Sequence, residues 1–455
     1  MHPRTVLLSA ALLVLALTAP LTAQVTFQKL YGGTGVDEAM SVLQTPDQGY
    51  VFAGFTKSYG AGYEDLWLVK TDANGEEVWS RAYGGTDNDF GWSVAPTASN
   101  GYIVAGHTES FGAGGQDAWL IKTDASGDSV WSRTYGGSDD EWGCSVLQLP
   151  GGGYVLAGHT ESYGAGRKDV WLVRTDSAGD TLWTRTYGGS DDDWGESVVL
   201  TQDGGFAIAG YTYSYDVGGG DFWLIRTDAS GDTLWTRTYG GSDWEVGYSV
   251  VQTDDGGFAV CGYTRSFGAG GLDAWLVRTD ASGDTLWART YGTAESEAGH
   301  AVAQTADGGF VVTGWNYFTQ EYDDLWLFRT DASGDTLWNR TFDGLDDEQG
   351  WSVQQTADGG FVVAGHTWSY GAGNSDVWLI KTDSLGMVGI AEPEPPVGVE
   401  PARATVMPAA RLRAELAQHP DLSAFEASGR QLLDPAPGVV FLRSAATTRR
   451  VLVVD

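Results

Sequence analysis

A short motif, Asp-x-Trp-Leu-x-(Lys/Arg)-Thr-Asp, returns seven times in this sequence at an almost constant spacing. Its copies begin at Asp65, Asp117, Asp169, Asp221, Asp273, Asp324 and Asp376. Successive copies lie 52 residues apart, except for one interval of 51. Self-similarity at such a period is the signature of a repeat architecture, in which each repeat is one supersecondary unit. The chain is therefore predicted to contain seven such units.

A second motif, (Leu/Val)-Trp-x-Arg-x-(Tyr/Phe)-Gly or a close variant, occurs six times and shows how the repeats close. The copies contain Trp79, Trp131, Trp183, Trp235, Trp287 and Trp338. The seventh repeat has no such strand after its Trp-Leu motif, but residues 25–33 have the same pattern with Phe27 in the Trp position. The N-terminal strand is therefore predicted to complete the last repeat. A ring closed in this way protects sheet edges that would otherwise template aggregation.

Each repeat contains four runs rich in β-branched and aromatic residues, bounded by turns. In the fourth repeat these runs are 196–201, 205–212, 221–227 and 233–239, and the turns between them carry Gly and Asp. Four antiparallel strands in each of seven units predict an all-β, seven-bladed β-propeller. The recurring Trp residues are predicted to form the core between blades. The basic residues of the first motif are predicted to pair with nearby Asp: Lys70, Lys122, Arg174, Arg226, Arg278, Arg329 and Lys381.

The repeat resembles a known group. Asp203-Gly204-Gly205-Phe206, the Ser-Tyr-Gly-Ala-Gly segment at 162–166 and the motif starting at Asp221 are similar to the short β-propeller repeats of secreted bacterial and archaeal proteins. The resemblance covers about residues 24–386. It implies the propeller fold and an extracellular setting, and it brings no common biochemical activity.

The N-terminus is predicted to be a secretory signal. Residues 1–23 combine Arg4, an apolar stretch over residues 6–19, and Ala23 before a cleavage point at Gln24. No later apolar run is long enough for a membrane-spanning helix. The predicted organisation is a signal peptide at 1–23, a propeller at 24–389, a Pro-rich linker at 390–402 and a C-terminal domain at 403–455. The mature chain is predicted to be secreted or held at the cell surface.

The C-terminal domain resembles another family. The Ser428-Gly429-Arg430 turn, the strand at 438–442 and the hydrophobic strand at 450–455 are similar to elements of the C-terminal sorting domain of the type IX (Por) secretion system. That resemblance implies a small β-sandwich that acts as an export address, with the secretion machinery as its partner. The alternative is a stabilising sandwich with no targeting role.

The charge of the chain limits the classes of ligand that it can bind. The formal net charge is −34 and the pI is near 4.2, which argues against nucleic acid, because its binders need a basic surface. An acidic surface attracts cations and basic partners.

Two cysteines, Cys144 and Cys261, fall in blades that are not neighbours. They are predicted to be free, buried thiols.

Strand parity predicts which loops share a face. The two short hairpins of each blade lie on one face, so the two longer loops lie on the other. Two positions that vary between copies fall at that long-loop face and supply the candidate ligand-binding residues. Those preceding the Ser-Val or Ala-Val of the first strand are Trp92, Glu196, Tyr248, His300 and Trp351, and those ending the second strand are His107, His159, Tyr211, Tyr263, Trp315 and His366. Such side chains suit a glycan, a peptide or an envelope component; the alternative is that they only fill space between blades.

The acidic loops of the same face are weak candidates for Ca²⁺ ligands. Their carboxylates belong to Asp139, Asp140, Asp191, Asp192 and Asp193. No Ser-His-Asp set, nucleotide-binding Gly loop or His-Glu-x-x-His motif is identifiable, so no catalytic residue and no cofactor is assigned. The predicted function is an exported, non-catalytic binding or scaffold protein. The alternative is a hydrolase or lyase that acts on polysaccharide with carboxylates of the long-loop face.

Overall fold

The computed structural model describes residues 24–215, 218–317 and 322–389, together with five short strands between residues 405 and 454. Every regular element in these parts is a β-strand. The chain divides into two compact units, one ending at Val388 and the other beginning at Gly389. The predicted signal peptide and the linker at 390–402 lie outside the described residues.

The first unit contains twenty-eight strands, each of five to eight residues. In chain order they are β1 Phe27–Tyr31; β2 Asp37–Gln44, β3 Tyr50–Thr56, β4 Asp65–Thr71 and β5 Glu77–Tyr83; β6 Asp89–Pro96, β7 Tyr102–Thr108, β8 Asp117–Thr123 and β9 Ser129–Tyr135; β10 Glu141–Gln148, β11 Tyr154–Thr160, β12 Asp169–Thr175 and β13 Thr181–Tyr187; β14 Asp193–Leu200, β15 Phe206–Thr212, β16 Asp221–Thr227 and β17 Thr233–Tyr239; β18 Glu245–Gln252, β19 Phe258–Thr264, β20 Asp273–Thr279 and β21 Thr285–Tyr291; β22 Glu297–Gln304, β23 Phe310–Asn316, β24 Asp324–Thr330 and β25 Thr336–Phe342; β26 Glu348–Gln355, β27 Phe361–Thr367 and β28 Asp376–Thr382.

These strands form seven four-stranded antiparallel sheets. Blades 1 to 6 each use four consecutive strands, from β2–β5 to β22–β25, and blade 7 has the order β26-β27-β28-β1. In blade 7, Leu30 lies opposite Trp378 and Phe27 opposite Lys381. The first strand of each blade contacts the first strands of both neighbours, including β2 with β26. The predicted seven-bladed propeller, closed by the N-terminal strand, is therefore confirmed.

The hydrophobic core is divided among the junctions between blades. At the junction of blades 2 and 3, Ile103 and Leu120 of one sheet pack with Trp171 and Val173 of the next. The third strands are almost wholly buried because each blade is covered on both faces by its neighbours. A single four-stranded sheet has no such cover, so the blades depend on one another for stability.

A repeated contact joins the fourth strand of each blade to the hairpin of the next. The Trp131 ring lies against Gly179, whose φ of 82° allows the tight turn. Tyr135 Oη donates a hydrogen bond to Gly179 O at 2.6 Å, and Arg133 lies over the Trp131 ring. Phe27 and Tyr31 make the equivalent contacts with Gly75 where the ring closes. This contact explains why the second motif recurs in every blade.

Five of the seven basic residues of the first motif pair with Asp in the first hairpin of their own blade, as predicted. Lys70 Nζ lies 3.0 Å from Asp47 Oδ2, and Lys381 Nζ lies 3.0 Å from Asp358 Oδ2. Arg226, Arg278 and Arg329 form the same pair in their blades: Arg226 with Asp203, Arg278 with Asp255 and Arg329 with Asp307. The prediction was wrong for Lys122 and Arg174, because the first hairpins of blades 2 and 3 contain no Asp. Arg174 instead donates a hydrogen bond to Gly152 O at 3.0 Å, and Lys122 lies over the Tyr154 ring.

Both cysteines are free, as predicted. Cys261 is buried, but Cys144 is only half-buried, so the predicted burial was wrong for Cys144. The reason is its place on an innermost strand, where one side faces the ring axis rather than a neighbouring sheet.

The second unit contains one five-stranded sheet. Its strands are β29 Thr405–Pro408, β30 Ser423–Phe425, β31 Gln431–Leu432, β32 Gly438–Arg443 and β33 Thr448–Val454. Their order is β29-β33-β32-β30-β31, with β29 parallel to β33 and the other pairs antiparallel. The predicted turn at 428–430 lies outside the described residues. Within the described part of the chain, no helix has the length and apolar character needed to cross a membrane.

Candidate binding site at the ring axis

The long loops of adjacent blades contact one another on one face of the ring. Tyr163 Oη, in the loop between β11 and β12, donates to Gly136 O at 2.9 Å. Asp139 N, in the loop between β9 and β10, donates to Ser162 Oγ at 3.0 Å. The two loop types therefore share a face, as strand parity predicts. We call it the long-loop face.

Buried carboxylates hold these loops in place. Asp193 is fully buried, and it accepts hydrogen bonds from Ser214 Oγ at 2.7 Å, from Gly189 N at 2.8 Å and from the Thr212 hydroxyl. An acid stands at the same place in every blade: Asp37, Asp89, Glu141, Asp193, Glu245, Glu297 and Glu348. Because buried carboxylates need such donors, these acids serve the loop structure.

The Ca²⁺ candidates lie on this face but do not converge. Asp193 has its oxygens occupied as described, and Asp192 pairs with Arg167 at 2.9 Å. Asp140 Oδ1 accepts a hydrogen bond from Gln116 N, while Asp139 and Asp191 are exposed. Among the described residues, no three His, Cys, Asp or Glu side chains are arranged to hold a metal ion.

Each first strand contains a β-bulge at the variable position identified in the sequence. In blade 4, Gly195 pairs with Gly210 and Ser197 pairs with Ala209. Glu196 lies between Gly195 and Ser197 and has no partner residue on the neighbouring strand. A bulge bends its strand and redirects a side chain. The seven bulge residues are Met40, Trp92, Cys144, Glu196, Tyr248, His300 and Trp351.

Bulge residues of blades 3 to 7 interact in succession, and we call the set of seven bulge residues the axial ring. The Tyr248 and His300 rings are 5.2 Å apart, and His300 stacks on Trp351 at 4.0 Å with an interplanar angle of 7°. The Glu196 carboxylate acts electrostatically on Tyr248 on one side and on Cys144 on the other. The structure therefore brings together residues that are about 50 positions apart in sequence.

Aromatic side chains continue from the axial ring across blades 2 to 4. His107 lies 4.5 Å from Trp142, which lies 5.3 Å from His159. His159 lies 4.2 Å from Trp194, which stacks on Tyr211 at 5.7 Å. We call this stack the aromatic belt.

Sequence analysis missed one position of the belt, two residues before the bulge. The residue type at this position varies between blades, and only blades 3 and 4 share one. This variation could have identified the position from the sequence. Its occupants are Glu38, Phe90, Trp142, Trp194, Val246, Ala298 and Gln349.

The four candidate histidines are buried and neutral. Burial lowers the pKa of His107 and His366 to about 3 and that of His300 to about 4. His107 Nδ1 accepts a hydrogen bond from Trp92 Nε1 at 2.9 Å, so its proton resides on Nε2. His159 is 0 % exposed and neither ring nitrogen has a hydrogen-bond partner among the described residues. These histidines therefore support the ring rather than present charge to a ligand.

The other seven candidates keep partial access to solvent: Trp92, Glu196, Tyr211, Tyr248, Tyr263, Trp315 and Trp351. Glu196 is the acid among them, and burial raises its pKa to about 7. Burial first, and then the Glu196 charge, raise the pKa of Tyr211. Burial, followed by Tyr263 and then Glu196, raises the pKa of Tyr248. The Tyr248 and Tyr263 rings are 6.0 Å apart. Near neutral pH this sector offers one carboxyl group surrounded by phenol rings.

The fold and the axial ring define the class: this chain is a seven-bladed β-propeller with a chemically asymmetric centre on its long-loop face. No family model matches the chain. It is similar to the Pan2 WD40 domain of Neurospora crassa (10% identity, 79% of this chain and 97% of that chain, TM-score 0.48). It is also similar to Sqt1 from Chaetomium thermophilum (13% identity, 76% and 86%, TM-score 0.42).

One curated relative matches at the sequence level. The chain is 29% identical over 240 residues to the regulatory protein FlaEY of Caulobacter vibrioides. The match covers 45% of this chain and 24% of that protein, so this chain spans about a quarter of its relative.

Proposed function

We propose that this chain is an exported, non-catalytic binding protein that uses the axial ring and the neighbouring partly exposed aromatic residues. The ligand is a glycan, a peptide or an envelope component that offers hydrogen-bond donors or a positive charge to Glu196. One observation carries the proposal. The bulge position differs between otherwise uniform repeats, and its occupants in blades 3 to 7 interact with one another in succession.

The chemistry of the ring favours binding over hydrolysis. Glycosidases use two carboxyl groups that flank the scissile bond. The axial ring contains one, Glu196, and the nearby acid Glu38 lies against His366, 3.4 Å from its Nδ1. A carboxyl group with a raised pKa among aromatic rings is a common mark of a ligand site. The net charge of −34 repels anionic ligands, so neutral and cationic ligands are favoured.

The test is a glycan and peptide array probed with the mature chain, residues 24–455, with and without Ca²⁺. Glu196→Gln keeps the shape of the side chain and removes its charge, and we expect it to abolish binding of the captured ligand. Asp254→Asn removes the same charge from an exposed hairpin on the opposite face and should leave binding unchanged. Equal binding by both variants would place the ligand elsewhere. Binding that needs Ca²⁺ would instead point to the acidic loops that contain Asp139 and Asp191.

The localisation is proposed on the sequence features of the two ends. Residues 1–23 direct export, and residues 403–455 act as a sorting domain for the type IX secretion machinery. Deletion of residues 401–455 should leave the protein in the periplasm of a host with that system, as measured by fractionation and immunoblotting. Undiminished release of the deleted chain into the medium would refute the sorting role and leave the axial site unaffected.

A further inference from the structure

Outside the axial ring, cavities recur at equivalent places between adjacent blades. They lie between the fourth strand of one blade and the third and fourth strands of the next. The cavity between blades 2 and 3 has a volume of 430 Å³, that between blades 5 and 6 has 360 Å³, and that between blades 6 and 7 has 420 Å³. We call these three cavities the interblade grooves. Their repetition follows from the repeat itself, because the same strands meet at each junction.

The groove between blades 2 and 3 shows the arrangement. Its lining includes Tyr163 and Trp171, whose rings are 5.8 Å apart, together with Thr134, Thr181 and Thr184. Tyr163 is 46% exposed, and Thr181 and Thr184 are exposed as well. The groove therefore offers an accessible aromatic ring beside several hydroxyl groups.

The other two grooves reuse these positions. Between blades 6 and 7 the lining includes Tyr370, Trp378 and Gln28, and between blades 5 and 6 it includes Trp326 and Asn339. Gln28 and Asn339 occupy the position of Thr184 on their own fourth strands, as the pairing with the third strand shows. Each groove thus keeps a buried Trp and a side chain that can donate and accept hydrogen bonds. The exposed tyrosine recurs between blades 6 and 7 as Tyr370, whereas the rings that line the groove between blades 5 and 6 are buried.

One polar group in the first groove has no protein partner. Trp171 is 3% exposed, and its Nε1 has no hydrogen-bond acceptor among the described residues. The same holds for Trp119 and Trp223 at the equivalent position of two other blades. Buried N–H groups are normally satisfied by protein or by an ordered partner. Because Trp171 Nε1 is closed to solvent, a ligand oxygen in the groove reaches it only if the side chains that cover it move.

Aromatic rings beside hydroxyl and amide groups match the two surfaces of a sugar ring. The apolar C–H face of a sugar packs on the aromatic ring, and its hydroxyl groups exchange hydrogen bonds with Thr, Asn or Gln. The acidic character of the chain opposes anionic sugars. The chemistry of the grooves therefore fits neutral carbohydrate.

We propose that the interblade grooves are subsites for a neutral polysaccharide, so that one polymer binds the ring at several points. This inference concerns a different site from the axial ring and stands independently of it. Binding at several linked sites multiplies the apparent affinity, because each further contact is intramolecular. A polymer is therefore expected to bind far more tightly than its own short oligosaccharide.

The experiment measures binding of the mature chain to three neutral polymers, dextran, mannan and galactan, by affinity electrophoresis and calorimetry. The sulfated form of dextran and the matching disaccharides serve as comparisons. We expect at least one neutral polymer to bind at least about 100-fold more tightly than its disaccharide, and sulfated dextran not to bind. Failure of all three neutral polymers to bind would overturn the proposal.

Substitutions that fill the grooves localise the binding. Thr184→Trp combined with Asn339→Trp blocks two grooves and should weaken polymer binding at least about 10-fold. Leu182→Trp combined with Leu337→Trp adds the same bulk to exposed positions of the same strands, outside the groove linings, and should have no effect. Thr184→Val with Asn339→Leu is a second, smaller pair with the same expected direction. Equal binding by blocked and control variants would overturn the proposal.

Glu196→Gln separates this proposal from the axial site. It should leave polymer binding intact while it abolishes binding at the axial ring. If Glu196→Gln abolishes polymer binding and the blocked variant does not, the polymer is the axial ligand and the groove proposal is wrong.

Discussion

Replacing Gly179 by Ala tests the contact that joins neighbouring blades. Gly179 has a φ of 82°, and a Cβ atom at this position would lie 2.9 Å from Cη2 of Trp131. The left-handed backbone costs an Ala residue about 1–2 kcal/mol. Overpacking against a held side chain costs about 1–3 kcal/mol more. We therefore expect Gly179→Ala to lower the free energy of unfolding by about 2–5 kcal/mol.

Gly204 supplies the matched control. Its φ is 87°, so Ala carries the same backbone cost there, but no atom lies within 4 Å of the Cβ position. Gly204→Ala should cost only about 1–2 kcal/mol. Urea unfolding of the mature chain, followed by Trp fluorescence, gives both values from the shift of the midpoint at constant slope. The difference between the two variants isolates the contact with Trp131.

A double-mutant cycle decides whether that difference comes from Trp131. In a Trp131→Ala background the ring is absent, so Gly179→Ala should cost no more than Gly204→Ala does. Two results refute the reasoning. One is an equal cost for the two Gly variants in the wild-type background. The other is an excess cost at Gly179 that survives removal of the Trp131 ring.

Five further changes have defined outcomes. Tyr135→Phe removes the hydrogen bond to the next hairpin and should destabilise the chain by about 1 kcal/mol, whereas Phe342→Tyr adds this bond in blade 6 and should raise the urea midpoint. His159→Phe removes two unpaired buried nitrogens and should stabilise the folded chain by about 1–3 kcal/mol. Because burial lowers the pKa of His159 in the folded state, this gain in stability should be larger at pH 5 than at pH 8. Burial raises the pKa of Glu196 from 4.5 to about 7, so the folded state loses stability as the pH rises through this interval. Glu196→Gln should therefore match the wild-type midpoint at pH 4 and exceed it at pH 8. Deletion of residues 24–31 leaves blade 7 with three strands and should lower the midpoint and broaden the transition; an unchanged transition would contradict closure by β1.

The sequence predicted the ring because its repeats are uniform where the fold needs them to be. The second motif occurs six times, its pattern returns with Phe27 at residues 25–33, and no copy follows the seventh Trp-Leu motif. This count is enough to assign the N-terminal strand to blade 7. Strand parity is enough to place the two long loops on one face. Both predictions depend on the local sequence pattern alone. The pairing of Leu30 with Trp378 confirms that the N-terminal strand belongs to blade 7.

The candidate site was predicted less completely, because its geometry depends on contacts between blades. No feature of residues 193–200 reveals that Glu196 is the extra residue of a bulge, since the strand reads as continuous. The burial of His159 follows from Trp142 of its own blade and Trp194 of the next blade, so it depends on how the blades pack. The sequence identified variable residues but could not divide them into buried and accessible ones.

The bulge explains how one face varies while the fold stays the same. Elsewhere in the repeat, a residue is constrained by its partner strand or by the next blade. For example, Ser41 Oγ of blade 1 accepts a hydrogen bond from Val94 N of blade 2 at 3.2 Å. The equivalent serine forms the same bond at five further junctions. In blade 6, Ala301 occupies the serine position, and it has no hydroxyl group to accept this hydrogen bond. A bulge residue has no partner in the strand ladder, so its identity costs the sheet nothing. Variation at this position is therefore tolerated structurally in every blade, and a ring of such positions around one axis is where a repeat protein of this kind can become specific for a ligand.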